Sequence, residues 1–376
     1  MNTNKQPLPA PGTLPYLLLE LTALSGEFPT ELISRLSGSE SYKSNMIARL
    51  KADKLLRTYS KNSLRGLRLT AAAKHALSDT YPDRFGALLS GENILNEPKY
   101  DLPSRLRLHR MAEVLVTMLQ SGFRVRSWEK PGVFQPDGDF QNAFITSPAY
   151  FTAAEVKGIG KQAVKIRSSR ATGVLLTPES IFAVYNTADG EMKWEYQSEI
   201  RLKVLLEMDI CHRRFPDQYG SVTPDAIIFG SGMEQMLPLM AAKATGHKYY
   251  ALDGDFPHFY FLTNDRRGEI LLQILCTPER KMQMDMILMQ DLKPGRDYYA
   301  EIDGFDDDGS PVLFGYTCDL PRIHRFHSAL SLHHLRGAVV CFDYQAEVLR
   351  RICGESVNLV RIDFDRYERR VFNQPL

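Results

Sequence analysis

No stretch of the chain strings together the roughly 18 apolar residues that a membrane-spanning helix requires, so none of its 376 residues is expected to cross a bilayer. Cysteine is scarce. Cys211, Cys276, Cys318, Cys341 and Cys353 are odd in number, scattered, and never spaced CxxC. That argues against a disulfide framework and against a zinc ribbon, and it fits a reducing cytoplasm. The chain also lacks a charge excess. Its net charge is only +1, so any attraction to a polyanion must come from a local patch. The N-terminus "MNTNKQPLPAPGTLP" has no charged-then-apolar signal pattern, and residues 1–12 read as a flexible leader. GxSxG and comparable nucleophile elbows are missing, and so are internal repeats and low-complexity tracts visible by eye.

What is present is an ordinary globular composition, 44% hydrophobic and 24% charged, over a length that suits two or three domains. One stretch departs from the average. Between Ser39 and His75 stand Lys43, Arg49, Lys51, Lys54, Arg57, Lys61, Arg65, Arg68 and Lys74 against Glu40 and Asp53, nine bases to two acids and a local charge of +7.

The residues around it predict helices and a hairpin. "GTLPYLLLELTALSGEFP" has apolar residues at helical spacing, closed by Gly26 and Pro29. "PTELISRLSGS" gives a short second helix with Thr30 as its cap. A third begins near Ser41 with Met46, Ile47, Leu50 and Leu55 as its buried stripe, leaving Tyr42, Lys43, Asn45 and Arg49 outside. Leu56 to Tyr59 and Leu64 to Leu69 then pair as two strands around Ser60, Lys61, Asn62 and Ser63, and Thr70 opens a further helix. Three helices and a basic hairpin make a winged helix. A helix about 10–12 Å across fits a major groove about 12 Å wide, and flanking Lys and Arg hold phosphates. The expected base readers are Tyr42, Lys43, Ser44, Asn45 and Arg49. The expected phosphate contacts are Arg57, Lys61, Arg65 and Arg68, with Asn62 at the tip.

A domain boundary is expected near residue 90, after the Gly/Asn/Pro-rich "RFGALLSGENILNEPKYDLP". Residues 13–90 then form the winged helix, 91–290 an α/β domain, and 291–376 a β-α-β extension packed on it or part of it. Within the second domain, Leu108, Met111, Ala112, Leu115 and Leu119 fall on one helical face, with Arg105, Arg107 and Arg110 at its start. "GVLL" and "IFAVY" read as strands, as does "TPDAIIFG". "HFYFLT" and "EILLQILC" read as strands joined by an Asn-Asp-Arg-Arg-Gly turn. "RGAVVCFDY", "QAEVLRRIC" and "VNLVRIDFD" read as strand, helix and strand of a mixed sheet.

Chemistry is sparse. "KGIGKQ" lacks the spacing of a phosphate loop and reads as a surface turn. Asp225 at a strand start could hold Mg²⁺ in a nuclease of the restriction-endonuclease type, but Asp253 and Asp255 have no Lys two residues on, and Glu155-Val156-Lys157 precedes Asp225. His324, His327, His333 and His334 do not alternate as a metal-gripping strand would. "DGFDDDGS" lacks the closing Glu of a calcium loop and reads as a solvated turn. No catalytic residue, metal or cofactor is expected.

The pattern "RLKADKLL…R-x-LRLTAAAKHAL", over roughly residues 13 to 80, resembles the winged-helix domain of MarR-like regulators and of plasmid-encoded proteins. Lys54 stands where those families usually carry Gly. A winged helix ahead of an α/β domain containing "TPDA" resembles the replication-relaxation proteins of plasmids and integrative conjugative elements. That resemblance implies a restriction-endonuclease-like, degenerate second domain and a role in plasmid replication or DNA relaxation. Three readings stay open: a cytoplasmic double-stranded-DNA-binding protein of a bacterial mobile element, acting in replication, transfer or transcriptional control and able to work as a dimer; a metal-dependent nuclease or nicking enzyme aimed by the winged helix; and a protein-docking adaptor.

Overall fold

The computed structural model describes residues 8–90, 94–134, 144–157, 166, 168–190, 192, 194–241, 256–294 and 301–373. They form two compact units of mixed α/β structure, Met1–Gly132 and Val133–Leu376.

The first unit opens with α1 (Leu14–Ser25), β1 (Phe28–Pro29) and a 3-10 turn (Glu31–Arg35), followed by α2 (Glu40–Ala52). β2 (Leu56–Lys61) and β3 (Leu64–Leu69) form a hairpin, and β1 pairs antiparallel with β3, giving the order β1-β3-β2. α3 (Ala71–Thr80), α4 (Pro82–Leu89) and the long α5 (Leu102–Gln120) complete it. The caps follow from the sequence. Ser39 accepts from the Tyr42 amide at 3.3 Å and Thr70 from the Ala73 amide at 3.0 Å. Thr30 makes no such cap, because Glu31–Arg35 is one 3-10 turn instead of an α-helix; the Thr30 amide bonds the Arg65 carbonyl across the sheet at 3.2 Å. Leu18, Leu19, Met46, Leu50, Leu55, Leu67 and Leu115 are buried.

The boundary lies at Gly132, not near residue 90. α5 packs on α1, and its Arg105 and His109 close on Glu27. Composition shifts at the Gly/Asn/Pro-rich stretch, but these contacts carry the unit past it. The leader expected over residues 1–12 lies largely outside the described residues.

The second unit holds two five-stranded sheets with the same plan. In one, β4 (Ala149–Thr152), β5 (Gly173–Leu176) and β6 (Ile181–Ala188) form an antiparallel meander, and β7 (Asp225–Gly230) and β8 (Phe259–Thr263) continue it in parallel. In the other, β9 (Lys293–Pro294), β10 (Gly304–Phe305) and β11 (Pro311–Phe314) form the meander, continued in parallel by β12 (Gly337–Phe342) and β13 (Val357–Ile362). Past the third strand each connection carries a helix in both sheets. Between β4 and β5 lies the short α6 (Ala153–Val156). Between the third and fourth strands lie α7 (Tyr196–Leu205) and α8 (Pro216–Tyr219) in the first sheet, and α12 (Leu320–Leu332) in the second. After the fourth strand come a 3-10 turn and α9 (Met236–Ala241), or a 3-10 turn and α13 (Ala346–Cys353). After the fifth comes α10 (Arg266–Cys276) in the first, with α11 (Pro278–Met289) leading on, and α14 (Phe364–Tyr367) in the second. Asp265 and Asp363 cap these last helices through the Gly268 and Arg366 amides, at 3.1 and 2.8 Å.

This repeat of architecture corrects the reading that the chain has none. It is hidden in the sequence because connecting helices differ in length and two second-copy strands are only two residues long. The C-terminal segment is likewise more than a β-α-β extension. It is a whole sheet sharing one hydrophobic cluster with the first, including Phe151, Val184's neighbour Tyr185, Ile228, Leu313, Val339 and Leu349.

Arg266–Cys276 is a helix, not a strand after a hairpin turn. Asp265 starts it as an N-cap, and Ile270, Leu271 and Ile274 bury one side. The strands "GVLL", "IFAVY", "DAIIFG", "GAVVCF" and "VNLVRI" stand where hydrophobic runs place them. All five cysteines are free and buried. Among the described residues no helix is long and apolar enough to cross a membrane.

Candidate nucleic-acid interface

α2 buries Met46 and Leu50 and turns Ser41, Tyr42, Ser44, Asn45, Ala48 and Arg49 outward. Four of the five expected base readers, Tyr42, Ser44, Asn45 and Arg49, therefore share an exposed surface. Arg49 is held loosely by Asp53 one turn on, at 3.8 Å, a surface pair worth little. Lys43 is the exception. It is 3% exposed, donates to the Ser34 carbonyl at 2.9 Å and pairs with Glu40 at 2.8 Å. Its spacing of three and seven from Met46 and Leu50 puts it on the buried stripe, so it is withdrawn as a base reader.

The turn after α2 answers to Lys54, whose φ is +52°. A β-carbon is unfavourable in that left-handed conformation, which glycine enters freely. Lys54→Gly is expected to raise the stability of the first unit by about 0.5–1 kcal/mol, measured by urea denaturation. An unchanged or lower midpoint would contradict the reading of strain at this turn.

In the hairpin, Arg57, Lys61, Asn62 and Arg65 are exposed. Asn62 and Ser63 form a two-residue tip with φ of +52° and +61°, the backbone that a tight, right-twisted hairpin requires. Lys61 Nζ bonds the Tyr100 carbonyl at 3.2 Å. Arg68, expected as a phosphate contact, is buried. It bonds Glu27 Oε2 at 2.6 and 2.8 Å, donates to the Lys99 carbonyl, and lies 4.0 Å from the Tyr59 ring centroid. Gly66, Leu67, Arg68 and Leu69 are all covered, because α1 packs on β3 and Glu27 closes on Arg68.

Glu27 is the centre of this arrangement and was invisible from sequence. Its carboxylate, fully buried, takes Arg68, Arg105 at 2.6 Å and His109 Nε2 at 2.9 Å. Burial alone would raise the Glu27 carboxyl. The hydrogen bonds from His109, Arg105 and Arg68 outweigh it and hold the group at about 2. Gly66 makes room: a β-carbon there would come within 2.3 Å of Glu27 Oε1.

Among the described residues, those weighed for nuclease chemistry do not assemble. Asp225 begins β7, but the neighbouring β6 and β8 carry no Glu/Asp-x-Lys triplet. Glu155 is committed to a capping box with Thr152, bonding its amide at 2.7 Å and its hydroxyl at 2.9 Å. Asp253, Asp255 and residues 158–162 of the "KGIGKQ" turn lie outside the described residues. The acidic "DGFDDDGS" is a hairpin turn between β10 and β11, with Asp306 accepting the Ser310 amide at 2.8 Å. His324 and His327 lie on α12, and among the described residues no group of three or more His, Cys, Asp or Glu side chains could hold a metal ion.

Asp225 instead belongs to a cluster that sequence reading missed. His258 Nδ1 meets Asp319 Oδ2 at 2.6 Å, joining the start of β8 to the N-cap of α12 and hence one sheet to the other. Burial pushes the Asp225 carboxyl up to about 6, with Asp319 adding to the rise while His258 and Lys203 oppose it. The hydrogen bond to Asp319 raises the His258 imidazole against its own desolvation. Both groups bind protons more tightly folded than unfolded. The contributions of these two groups are therefore fully present at low pH; that of Asp225 is lost as pH rises through about 4 to 6, and that of His258 as pH rises through its raised value. The Asp225 part amounts to about 2–3 kcal/mol. In a Trp128→Phe background Trp194 reports this unit, and Asp225→Asn should flatten the pH 4–6 arm. An equal slope with and without Asp225 would contradict the assignment.

No family model, curated protein or solved structure matches the chain.

Proposed function

We propose that the first unit is a winged-helix module that binds double-stranded DNA. The observation that carries this is the placement of exposed Ser44, Asn45 and Arg49 on α2 beside a hairpin whose Arg57, Lys61 and Arg65 are also exposed. The order helix, short strand, turn, helix, hairpin, with β1 against β3, supports the winged-helix reading. Ser41, Ser44 and Ala48 are small, so the α2 surface can approach base edges closely, while Asn45 offers paired donor and acceptor groups that suit adenine. Loss of Lys43 and Arg68 shortens the cationic surface at both ends but leaves Lys51, Lys54, Arg57 and Arg65 without ion pairs among the described residues. Association with a bacterial mobile element, in replication, transfer or transcriptional control, rests on the sequence resemblance to replication-relaxation proteins.

Electrophoretic shifts on a pool of duplexes test the roles separately. Asn45→Ala should flatten the preference among sequences, by about 1–3 kcal/mol at the base it reads. Lys61→Ala with Arg65→Ala should weaken binding to every duplex by a similar factor. Unchanged shifts in the double variant would remove the hairpin from the interface. A partner captured without DNA, in a manner insensitive to salt, would favour the docking reading instead.

A further inference from the structure

Arg105 lies on α5, 44 residues along the chain from Lys61, yet its guanidinium sits inside the hairpin. Nη1 donates to the Lys61 carbonyl at 3.0 Å. Nη2 donates to the Leu64 carbonyl at 3.0 Å and the Tyr59 carbonyl at 3.3 Å. These acceptors flank the two-residue tip on both strands. The same guanidinium is fixed from behind by Glu27 through Nε at 3.0 Å and Nη2 at 2.6 Å, and it lies over the Tyr59 ring at 4.6 Å. At 1% exposed it is not available to a ligand.

A two-stranded hairpin is marginal by itself in water, and its tip is the part most given to fraying. One planar cation with donors in a fixed fork can tie carbonyls of both strands at once, which an ammonium on a flexible stem cannot do. We infer that Arg105 is the positioning residue of the hairpin: anchored on Glu27, it holds the tip in one place and so fixes where Lys61 and Arg65 are presented. The inference rests on the DNA-binding reading for its consequence, but not for its first test. Order held in advance of binding removes an ordering cost that a mobile hairpin would meet at the duplex. Lys61 and Arg65 then present their charges from set positions, one on each face of the hairpin, instead of as two tethered charges.

Amide hydrogen exchange on the full chain tests it, with Arg105→Lys as the variant that keeps the charge. In the unmodified protein the tip-flanking amides of Lys61 and Leu64 should be protected as well as those in the middle of the hairpin. In Arg105→Lys they should exchange at least about tenfold faster, while amides of α2 are unaffected. A general loss of stability would instead speed both. Duplex binding is then measured for Lys61→Ala/Arg65→Ala in each background. The penalty of that double change should shrink severalfold when Arg105 is Lys. Tip amides equally protected in both proteins, or a measurable penalty of the same size in both, would overturn the inference. Faster tip exchange with no penalty in either background leaves Arg105 as the hairpin's anchor and removes the DNA reading. If Arg105→Lys does not fold, the unmodified protein still decides: a frayed, unprotected tip contradicts the inference.

Discussion

Glu27→Gln is expected to destabilise the first unit by about 3–5 kcal/mol, the cost of leaving buried charges without their counter-ion. The amide has the same shape but no charge, and Arg68 and Arg105 are 5% and 1% exposed. Neither can turn to water without dragging β3 or α5 with it. Linkage gives a figure of the same order. A carboxyl held at about 2 in the folded protein against an ordinary 4.5 is worth about 3 kcal/mol at neutral pH. The sign follows from the depressed value. The contribution is fully present above the unfolded value of 4.5 and is lost as pH falls through about 2. Trp128 lies in the first unit and Trp194 in the second, so Trp194→Phe leaves a single fluorophore reporting the first. Urea denaturation there should show the loss at pH 7, and the substituted protein should lack most of the stability decline below pH 4.5. A cost under about 1 kcal/mol would mean that the Glu27 cluster does not hold α5 to the sheet.

That cluster also shows where sequence reading stops. Met46 and Leu50 were legible because helical period is local, although Ile47 is only half-covered and Leu55 lies past the end of α2, and the cap Thr70 was legible because a cap acts three residues away. Glu27 binds Arg68, Arg105 and His109 at separations of 41, 78 and 82 residues. Nothing in the local pattern distinguishes such a carboxylate from one on the surface. Lys43 and Arg68 failed for a related reason. Charge predicts exposure only until a partner is folded over it, although the spacing of Lys43 from Met46 and Leu50 was a signal that could have been read. In the second unit the parallel strands announced themselves as apolar runs. The duplication of sheet order did not, since it resides in connectivity and register, which sequence preserves poorly. His258 and Asp319, 61 residues apart, belong to the same class of hidden contact.

Replacing Arg49, Arg57, Lys61 and Arg65 together by Ala is expected to lower duplex affinity at least about a hundred- to a thousandfold at 0.1 M salt, because the three phosphate contacts of the hairpin each contribute about 0.9 to the salt exponent and Arg49 is lost from the base-reading face as well. All four side chains are exposed, so folding stability should move by no more than about 0.5 kcal/mol for each change. The two measurements must be made on one preparation. Affinity falling while the urea midpoint stays put locates the effect in the interface. Retained affinity would place any nucleic-acid binding elsewhere in the chain. Affinity and midpoint falling together would point to damage of the unit as a whole.

The most direct test of the account is a salt titration of the unmodified protein on a duplex of about 20–30 base pairs, long enough to span two helical turns. If the exposed α2 face and hairpin neutralise four to six phosphates, the plot of log affinity against log salt should be linear with a slope of about −3.6 to −5.4. A slope shallower than about −1, or no retention of duplex even at 50 mM salt, would contradict the claim that this cationic surface is built for DNA.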